Sequence, residues 1–164
     1  MNAPISVVSV NARGLRGRRK RLKVFNTLKE KFADAVFLFQ ETHSDKTVYQ
    51  TWRGEWGSEI YLNHGESNSR GVMLAFSNNL EISNFKYVMD NIGRIQLCTF
   101  DYNNQKFSIG NIYNNNVETE QVKTLKKLSQ MIEGLDPFEY EIIIGGDWNF
   151  IFDKILMLLV EILF

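Results

Sequence analysis

Apolar and polar positions follow two different periods along the chain, one typical of helices and one typical of strands. Apolar residues recur at helical spacing in a charged background over 18–32 and 117–133, and we predict amphipathic helices there. Trp52 and Trp56 lie in a mixed stretch that favours a short helix and a turn. Apolar, β-branched runs predict strands at 5–10, 35–40, 58–63, 71–76, 82–89, 92–101, 105–113 and 140–149.

This order of elements predicts the fold class. Helices that alternate with and bracket a series of strands indicate an α/β protein with stacked sheets and helices outside them. The run 35–40 is apolar at successive positions, which is typical of a strand buried on both faces. A chain of 164 residues suffices for one domain with a substantial core and is short for two.

Several predicted strands end abruptly in polar residues, and ligand sites of α/β sheets gather at strand ends. Each ending has an ordinary explanation when taken alone: asparagine favours turns, a glutamate is usually solvated, and a half-buried tyrosine is common in cores. An aspartate after two glycines could simply form an Asx-turn. The repetition of one layout in four strands favours a shared site. The polar endings are Asn11, Glu41, Asn111, Tyr113, Asn116, Asp147 and Asn149.

The chemistry of these side chains suits a phosphoryl-transfer site. Glu41 and Asp147 supply the carboxylates that such a site uses as metal ligands or bases. Asparagine side chains can orient phosphate or carboxylate oxygens without adding charge, and a tyrosine hydroxyl can donate to a developing oxyanion. Because the donors are all oxygen and include no Cys/His cluster, Mg²⁺ suits the set better than Zn²⁺.

Charge is unevenly distributed although the net charge is zero. Residues 13–23 contain seven basic side chains and no acid. Such a segment suits a polyanion such as nucleic acid, while the alternative is the solvated face of a basic helix.

Other function classes are not supported. The chain has one cysteine, Cys98, so an internal disulfide is excluded, and its strand-like surroundings predict a small core residue. "DYNNQK" (101–106) begins like an EF-hand loop, but Lys106 stands where glycine is required. The apolar run at the C-terminus is too short to span a bilayer, and no secretory signal is evident. We therefore expect no membrane partner and a nuclear or cytoplasmic location.

The polar strand endings occur in longer segments that resemble the endonuclease/exonuclease/phosphatase superfamily. More narrowly, they are similar to the apurinic-type endonuclease domain of non-LTR retrotransposons. The matching segments are "SVNARGL" (9–15), "FQETH" (39–43), "SRGVMLAF" (69–76), "GNIY" (110–113) and "IIIGGDWN" (142–149). The resemblance implies a four-layered α/β/β/α sandwich of the deoxyribonuclease-like type. It also implies metal-dependent nicking of DNA, which exposes a 3′-OH for reverse transcription.

The resemblance implies a role for each residue at a matching position. Glu41 would hold the divalent metal, with Asn11 beside it as an orienting residue or second ligand. Tyr113 would contact the scissile phosphate, Asp147 would align or deprotonate the attacking water, and Asn149 would position the phosphate. His43 would give local support. Mg²⁺ is the expected ion, and Mn²⁺ is an alternative.

The resemblance also implies that DNA is the partner. We expect a monomer, and the sequence leaves open whether the chain was once joined to a reverse transcriptase. The residues expected to bind nucleic acid are Arg13, Arg16, Arg18, Arg19, Lys20 and Asn116.

Two departures from the family pattern bear on activity. Tyr113 is followed by three asparagines, where the family usually has a proline that stiffens the loop. Beyond "GGDWN" the family continues to a Ser-Asp-His that this sequence lacks. We therefore expect a partial domain at 1–152, incomplete at its C-terminus, followed by an atypical apolar tail at 153–164, and weak or no activity.

Two alternatives to a nicking enzyme stay open. One is a non-catalytic remnant that binds nucleic acid through the basic segment 13–23. The other is a phosphatase or sphingomyelinase-type member of the same superfamily, which "QETH" and the basic segment disfavour.

Overall fold

A computed structural model describes residues 4–66 and 69–149. The predicted domain boundary at 152 and the apolar tail at 153–164 lie outside the described residues. Among the helices within residues 4–66 and 69–149, none has both the length and the apolar character needed to cross a bilayer.

The predicted strands and helices are confirmed, with small shifts at their ends. The helices are α1 (Arg18–Lys31), α2 (Tyr49–Trp56) and α3 (Glu118–Ile132). The strands are β1 (Ser6–Asn11), β2 (Ala35–Gln40), β3 (Ile60–Asn63), β4 (Val72–Phe76), β5 (Ser83–Met89), β6 (Ile95–Tyr102), β7 (Gln105–Tyr113) and β8 (Tyr140–Asp147).

The largest shift is at the start of β6, which was predicted from residue 92. The residues before Ile95 form a turn in which Oδ1 of Asp90 accepts the backbone N–H of Arg94 at 3.1 Å. Gly93 adopts the left-handed conformation there, with φ 74°, which a strand cannot accommodate.

The strands form two four-stranded sheets. The first sheet has the order β1-β2-β4-β3 and the second has the order β5-β6-β7-β8. Only β1 with β2 and β7 with β8 pair in parallel, and in both pairs a helix makes the crossover. In each parallel pair both strands therefore end at the same edge of their sheet.

Three apolar clusters separate four layers. Outside the first sheet, Trp56 of α2 makes edge-to-face contacts with Phe25 and Phe37, with ring centroids 5.0 Å apart in both pairs. Between the sheets, Leu38 and Leu74 pack against residues of β6 and β7, among them Cys98. Cys98 is buried, and this burial raises the pKa of its thiol to about 12. Outside the second sheet, α3 packs on β6 and β7 through Leu125 and Leu128. The predicted four-layered α/β/β/α arrangement is confirmed.

The layer between the sheets becomes polar near the ends of β2 and β7. Nε2 of Gln40 donates to Oδ1 of Asn111 at 2.8 Å, and both side chains are buried. Nδ2 of Asn111 donates to the backbone carbonyls of Phe39 and Met73, each at 3.1 Å. Asn111 therefore does not reach solvent as a site residue. Its hydrogen bond with Gln40 joins the two sheets. Gln40 directly precedes Glu41, and Asn111 is two residues before Tyr113, so this bond fixes how Glu41 and Tyr113 face each other.

Replacing Asn111 with leucine should destabilise the protein, because it removes three buried hydrogen bonds and leaves their partners in an apolar setting. We expect a loss of about 2–4 kcal/mol in the free energy of unfolding, measured by urea denaturation followed by circular dichroism. Asn26→Leu, at an exposed position of α1, is the matched control and should change stability by less than about 0.5 kcal/mol. Equal stability of the two variants would contradict this role for Asn111.

Candidate active site

Four strands end at one edge of the sandwich and bring their polar endings together. β1 pairs with β2 so that Asn11 lies beside Gln40, and Glu41 follows directly. β7 pairs with β8 so that Tyr113 lies beside Asp147. Because β1 and β8 also contact each other across the two sheets, side chains from both sheets meet at this edge.

Asn11 links the two carboxylates of this cluster. Its Nδ2 donates to Oε1 of Glu41 at 2.8 Å and to Oδ2 of Asp147 at 2.7 Å. Both amide hydrogens are therefore used, one for each sheet. The neutral donor holds two negative groups close together, where their repulsion would otherwise push them apart.

Tyr113 completes the cluster from the second sheet. Its hydroxyl group interacts electrostatically with Glu41, and the residue is half-buried. Burial raises the pKa of Tyr113, and the negative charge of Glu41 raises it further. The phenol therefore keeps its proton at neutral pH and can act as a hydrogen-bond donor.

Asp147 and Asn149 form a short turn at the end of β8. The backbone N–H of Asn149 donates to Oδ1 of Asp147 at 3.1 Å, so the Asx-turn expected of an aspartate here exists. The turn uses Oδ1 of Asp147, while Oδ2 accepts the hydrogen bond from Asn11. Asp147 can therefore form the turn and belong to the carboxylate cluster at the same time. The side chain of Asn149 donates to the carbonyl of Asn114 at 2.9 Å, and its predicted phosphate contact stays a prediction.

Backbone strain concentrates around this edge. Glu41, His43 and Asn149 have φ values of 52°, 55° and 50°, which is uncommon outside glycine. Backbone hydrogen bonds hold the loop after β2 in this conformation: Thr42 N–H donates to Gly71 and Gly14 N–H donates to Glu41. The strained loop turns the Glu41 side chain out of the sheet and toward Asn11.

His43 lies next to the carboxylate of Glu41. Its Nε2 is 3.9 Å from Oε2 of Glu41, and Arg16 donates from Nε to its backbone carbonyl at 2.7 Å. Gly14 packs against the imidazole so closely that a Cβ there would lie 2.9 Å from Nδ1. This placement fits the predicted local support of Glu41.

The donor set fits a divalent cation of the Mg²⁺ type. Glu41 and Asp147 are the residues that would hold it. The described residues contain no group of three or more His, Cys, Asp or Glu side chains placed to enclose a metal ion. Mg²⁺ is commonly held by one or two carboxylates and otherwise keeps its waters. Asn11 orients the two carboxylates through its Nδ2 group. Its Oδ1 accepts the backbone N–H of Arg13 at 3.1 Å, and its role as a second metal ligand through this oxygen stays a prediction.

Much of the basic segment supports the fold. Nζ of Lys20 donates to the carbonyls of Ala12 and Arg13 at 2.6 and 2.7 Å. Buried Arg21 pairs with Glu55 at 2.6 Å.

Two further basic residues of this segment have acidic partners. Arg18 joins the Arg21–Glu55 pair from the surface, with Nε 3.2 Å from the Glu55 carboxylate. Arg16 pairs with Asp45 at 3.1 Å. Four basic side chains that charge alone would assign to a binding face thus have partners within the protein.

Three basic residues of the segment are exposed and form no ion pair among the described residues. Across residues 4–66 and 69–149, no ion pair includes Arg13, Arg19 or Lys23. Arg13 lies two residues after Asn11, at the rim of the site. Asn116 is exposed in the loop after β7. The prediction that these side chains bind nucleic acid therefore rests mainly on Arg13 and Arg19, and it stays a prediction.

Sequence reasoning missed Arg94, which holds Tyr113 in place. Its Nη1 donates to the carbonyl of Tyr113 at 2.9 Å, and its Cζ lies 5.3 Å from the centroid of the Tyr113 ring. The guanidinium group thus contacts both the backbone and the ring of Tyr113. A single arginine at the start of a strand carries no sequence signal of this contact, because its partner lies on the neighbouring strand.

The sequence of this chain was compared with family models and with curated proteins. No family model matches the chain. A curated relative, a transposon TX1 uncharacterized 149 kDa protein of Xenopus laevis, is 26% identical over 149 residues, which cover 91% of this chain and 11% of that protein. The chain thus spans about a tenth of the length of this relative.

Solved structures resemble the described chain closely in fold. One is D. rerio TDP2 complexed with a single-strand DNA product, with a TM-score of 0.65, 13% identity, and coverage of 94% of this chain and 64% of that one. Another is an endonuclease/exonuclease/phosphatase family protein from Bacteroides thetaiotaomicron, with a TM-score of 0.63, 11% identity, and coverage of 91% and 65%. The chain shares the fold of these structures, so the fold that the motif resemblance implied is confirmed.

Proposed function

We propose that this chain is a metal-dependent endonuclease domain of retrotransposon type that nicks DNA. The observation that carries this proposal is the contact of Asn11 with both Glu41 and Asp147, at 2.8 and 2.7 Å, beside the hydroxyl of Tyr113. Two carboxylates held together by a neutral donor, with a protonated phenol beside them, suit phosphodiester hydrolysis.

Two observations favour nucleic acid as the substrate. The solved TDP2 structure of the same fold contains a single-strand DNA product, and the curated relative is a transposon protein. In this chain, exposed Arg13 lies at the rim of the carboxylate cluster, and Arg19 and Lys23 follow on α1. Cations without acidic partners beside a hydrolytic site suit a phosphate backbone.

The proposed reaction uses the side chains of the carboxylate cluster, and Asp147 has two tasks in it. Mg²⁺, or Mn²⁺ in its place, would supply Lewis-acid polarisation of the phosphoryl oxygen when bound at Glu41 and Asp147. Asp147 accepts a proton from the attacking water, whose oxygen bonds to phosphorus. Tyr113 donates a hydrogen bond to a non-bridging phosphate oxygen. The bond from phosphorus to the 3′ oxygen breaks, and that oxygen takes a proton from solvent to leave a 3′-OH and a 5′-phosphate.

We further propose that the 164-residue polypeptide cleaves slowly. Its sequence contains no Ser-Asp-His, the family segment whose histidine bonds the phosphate oxygen. Absence of one such positioned group commonly lowers a rate by about 10² to 10⁴. Because the candidate site residues all come from one chain, we propose that it acts as a monomer. Joining to a reverse transcriptase in a longer protein is likewise a proposal.

The competing proposal is a remnant that binds nucleic acid through segment 13–23 without cleaving it. It is favoured by Arg13, Arg19 and Lys23, which are exposed and form no ion pair among the described residues.

Nicking of supercoiled plasmid by the 164-residue chain separates these proposals. We expect slow conversion to the open-circular form in Mg²⁺ or Mn²⁺ and none in EDTA. A folded sample, verified by circular dichroism, that binds DNA but never nicks it would favour the binding remnant. Hydrolysis of soluble phosphomonoesters without nicking would instead indicate a phosphatase.

A further inference from the structure

A second cationic feature lies beside Tyr113, outside the basic segment. Arg94 is only 7% exposed, and no ion pair within the described ranges includes it. In this part of the chain its side chain donates one hydrogen bond, to the carbonyl of Tyr113. The other guanidinium N–H groups are thus left for a ligand or for water. Burial of a charge that has no direct ion pair costs free energy, which an anionic ligand would offset.

A like charge near Arg94 increases this cost. Burial lowers the pKa of Arg94, and the positive charge of Arg70 lowers it further, while Tyr113, Asp90 and Glu120 act in the opposite direction without cancelling this shift. Arg70 itself has only a long ion pair, at 3.7 Å, with Glu66, whose side chain is 77% exposed. An arginine stays charged even with such a shift, so two cations are held near each other at the edge of the sandwich that carries Tyr113.

Arg94 lines a groove between the turn before β6 and the helix α3. We call it the Arg94 groove. Its charged lining residues are Asp90, Arg94, Glu120, Lys123 and Lys127, and its amide lining residues are Asn91 and Asn115. It begins next to Tyr113, because Arg94 contacts that residue and Asn115 follows it by two positions.

Both carboxylates of the Arg94 groove are already engaged. Oδ1 of Asp90 accepts hydrogen bonds from Asn63 at 2.6 Å and from the backbone N–H of Arg94 at 3.1 Å. Glu120 pairs with Lys123 at 2.6 Å. Lys127 is exposed and takes part in none of the ion pairs of the described residues. The Lys123–Glu120 pair is neutral overall. Arg94 and Lys127 carry two positive charges against the single negative charge of Asp90, so the lining of the groove has a net positive charge of one.

We propose that the Arg94 groove binds a backbone phosphate of the DNA strand, adjacent to the phosphate at Tyr113, between Arg94 and Lys127. This inference rests on the proposed function, because it takes DNA as the substrate. A buried guanidinium fixed against Tyr113 would set the strand position relative to the site, and the flexible Lys127 would close over the phosphate from α3. The strand would then run from the carboxylate cluster along the outer side of the second sheet.

The test is the salt dependence of DNA binding, measured in EDTA so that cleavage plays no part. Fluorescence anisotropy of a labelled duplex oligonucleotide over a salt series gives the slope of log K against log [salt] for each variant. Lys127→Ala should weaken binding several-fold and reduce the magnitude of the slope by about 1. Lys126→Ala is the matched control, because Lys126 neighbours Lys127 on α3 but does not line the groove; it should keep the wild-type slope.

Each outcome decides between the possibilities. If Lys127→Ala binds DNA with the same affinity and salt slope as the wild-type chain, the groove does not bind a DNA phosphate, and the proposed function is unaffected. Absence of binding by the wild-type chain would overturn both. If millimolar inorganic phosphate binds through Lys127 while the DNA slope stays the same, the groove takes free phosphate and the inference is wrong. Arg94→Gln, checked for folding by circular dichroism, should reduce the slope as Lys127→Ala does.

Discussion

Asp147→Asn and Glu41→Gln should each reduce Mg²⁺-dependent nicking by about 10²-fold or more. Asparagine at 147 cannot accept a proton from water, although it keeps the size of the side chain. Glutamine at 41 removes the negative charge that would hold the cation, and its amide cannot accept from Asn11 with the same strength. Initial rates of plasmid nicking measure both effects.

Asn11 makes these two substitutions informative together. Since its amide contacts both carboxylates, a change at either one alters the orientation of the donor that also positions the other. We therefore expect the double variant to be little worse than the more severe single variant, because residues that act as a unit are not additive.

The control for this series is Glu30→Gln, at an exposed position in the last turn of α1 and outside the carboxylate cluster. It removes the same charge from the chain and should leave nicking at the wild-type rate. If both site variants nick like this control while remaining folded, the carboxylate cluster is not the active site.

Gly146→Ala should destabilise the protein by about 3 kcal/mol or more and abolish nicking. A Cβ at this position would lie 2.0 Å from the carbonyl oxygen of Ile112 and 2.8 Å from its nitrogen. Both atoms belong to the backbone of β7, so no side-chain rotation relieves the clash. Gly146 also has φ 140°, which a residue with a side chain rarely adopts. Strand β8 would have to separate from β7 at the position that carries Asp147.

Gly145→Ala is the matched control for Gly146, one residue earlier on the same strand. Its Cβ would meet the terminal Cδ1 of Leu38 at 2.7 Å, and a leucine terminus can move. We expect a loss of about 1 kcal/mol and measurable nicking. Urea unfolding followed by circular dichroism gives both stabilities, and equal values for the two glycines would contradict the close approach at Gly146.

Sequence periodicity alone determined the elements of this fold. The run 35–40 was predicted to be a strand buried on both faces, and β2 occupies the same residues between two apolar clusters. Helix 18–32 was predicted from its apolar spacing and begins at Arg18. Periodicity reports on neighbours three or four positions apart, which is why local elements can be read from it.

Sequence also predicted which strand ends would lie together, because buried strands that finish in carboxylates or amides are a local pattern. Glu41, Tyr113 and Asp147 meet at one edge of the sandwich as the four endings predict. What each amide does there was not predictable. Asn11 and Asn111 both stand at strand ends, yet one bridges carboxylates in the site and the other is buried between the sheets.

Only the tertiary structure decided which charges are free to act. Arg13 and Lys20 stand in one basic run, but Lys20 binds backbone carbonyls while Arg13 has no acidic partner in the described part of the chain. Arg94 gave no sequence signal and proved to hold Tyr113. The physical reason is separation along the chain: Asn11 and Asp147 are 136 residues apart, and their hydrogen bond exists only because two sheets pack face to face. Local composition determines strands and helices, whereas packing between sheets determines which polar groups find partners and which stay available for a ligand.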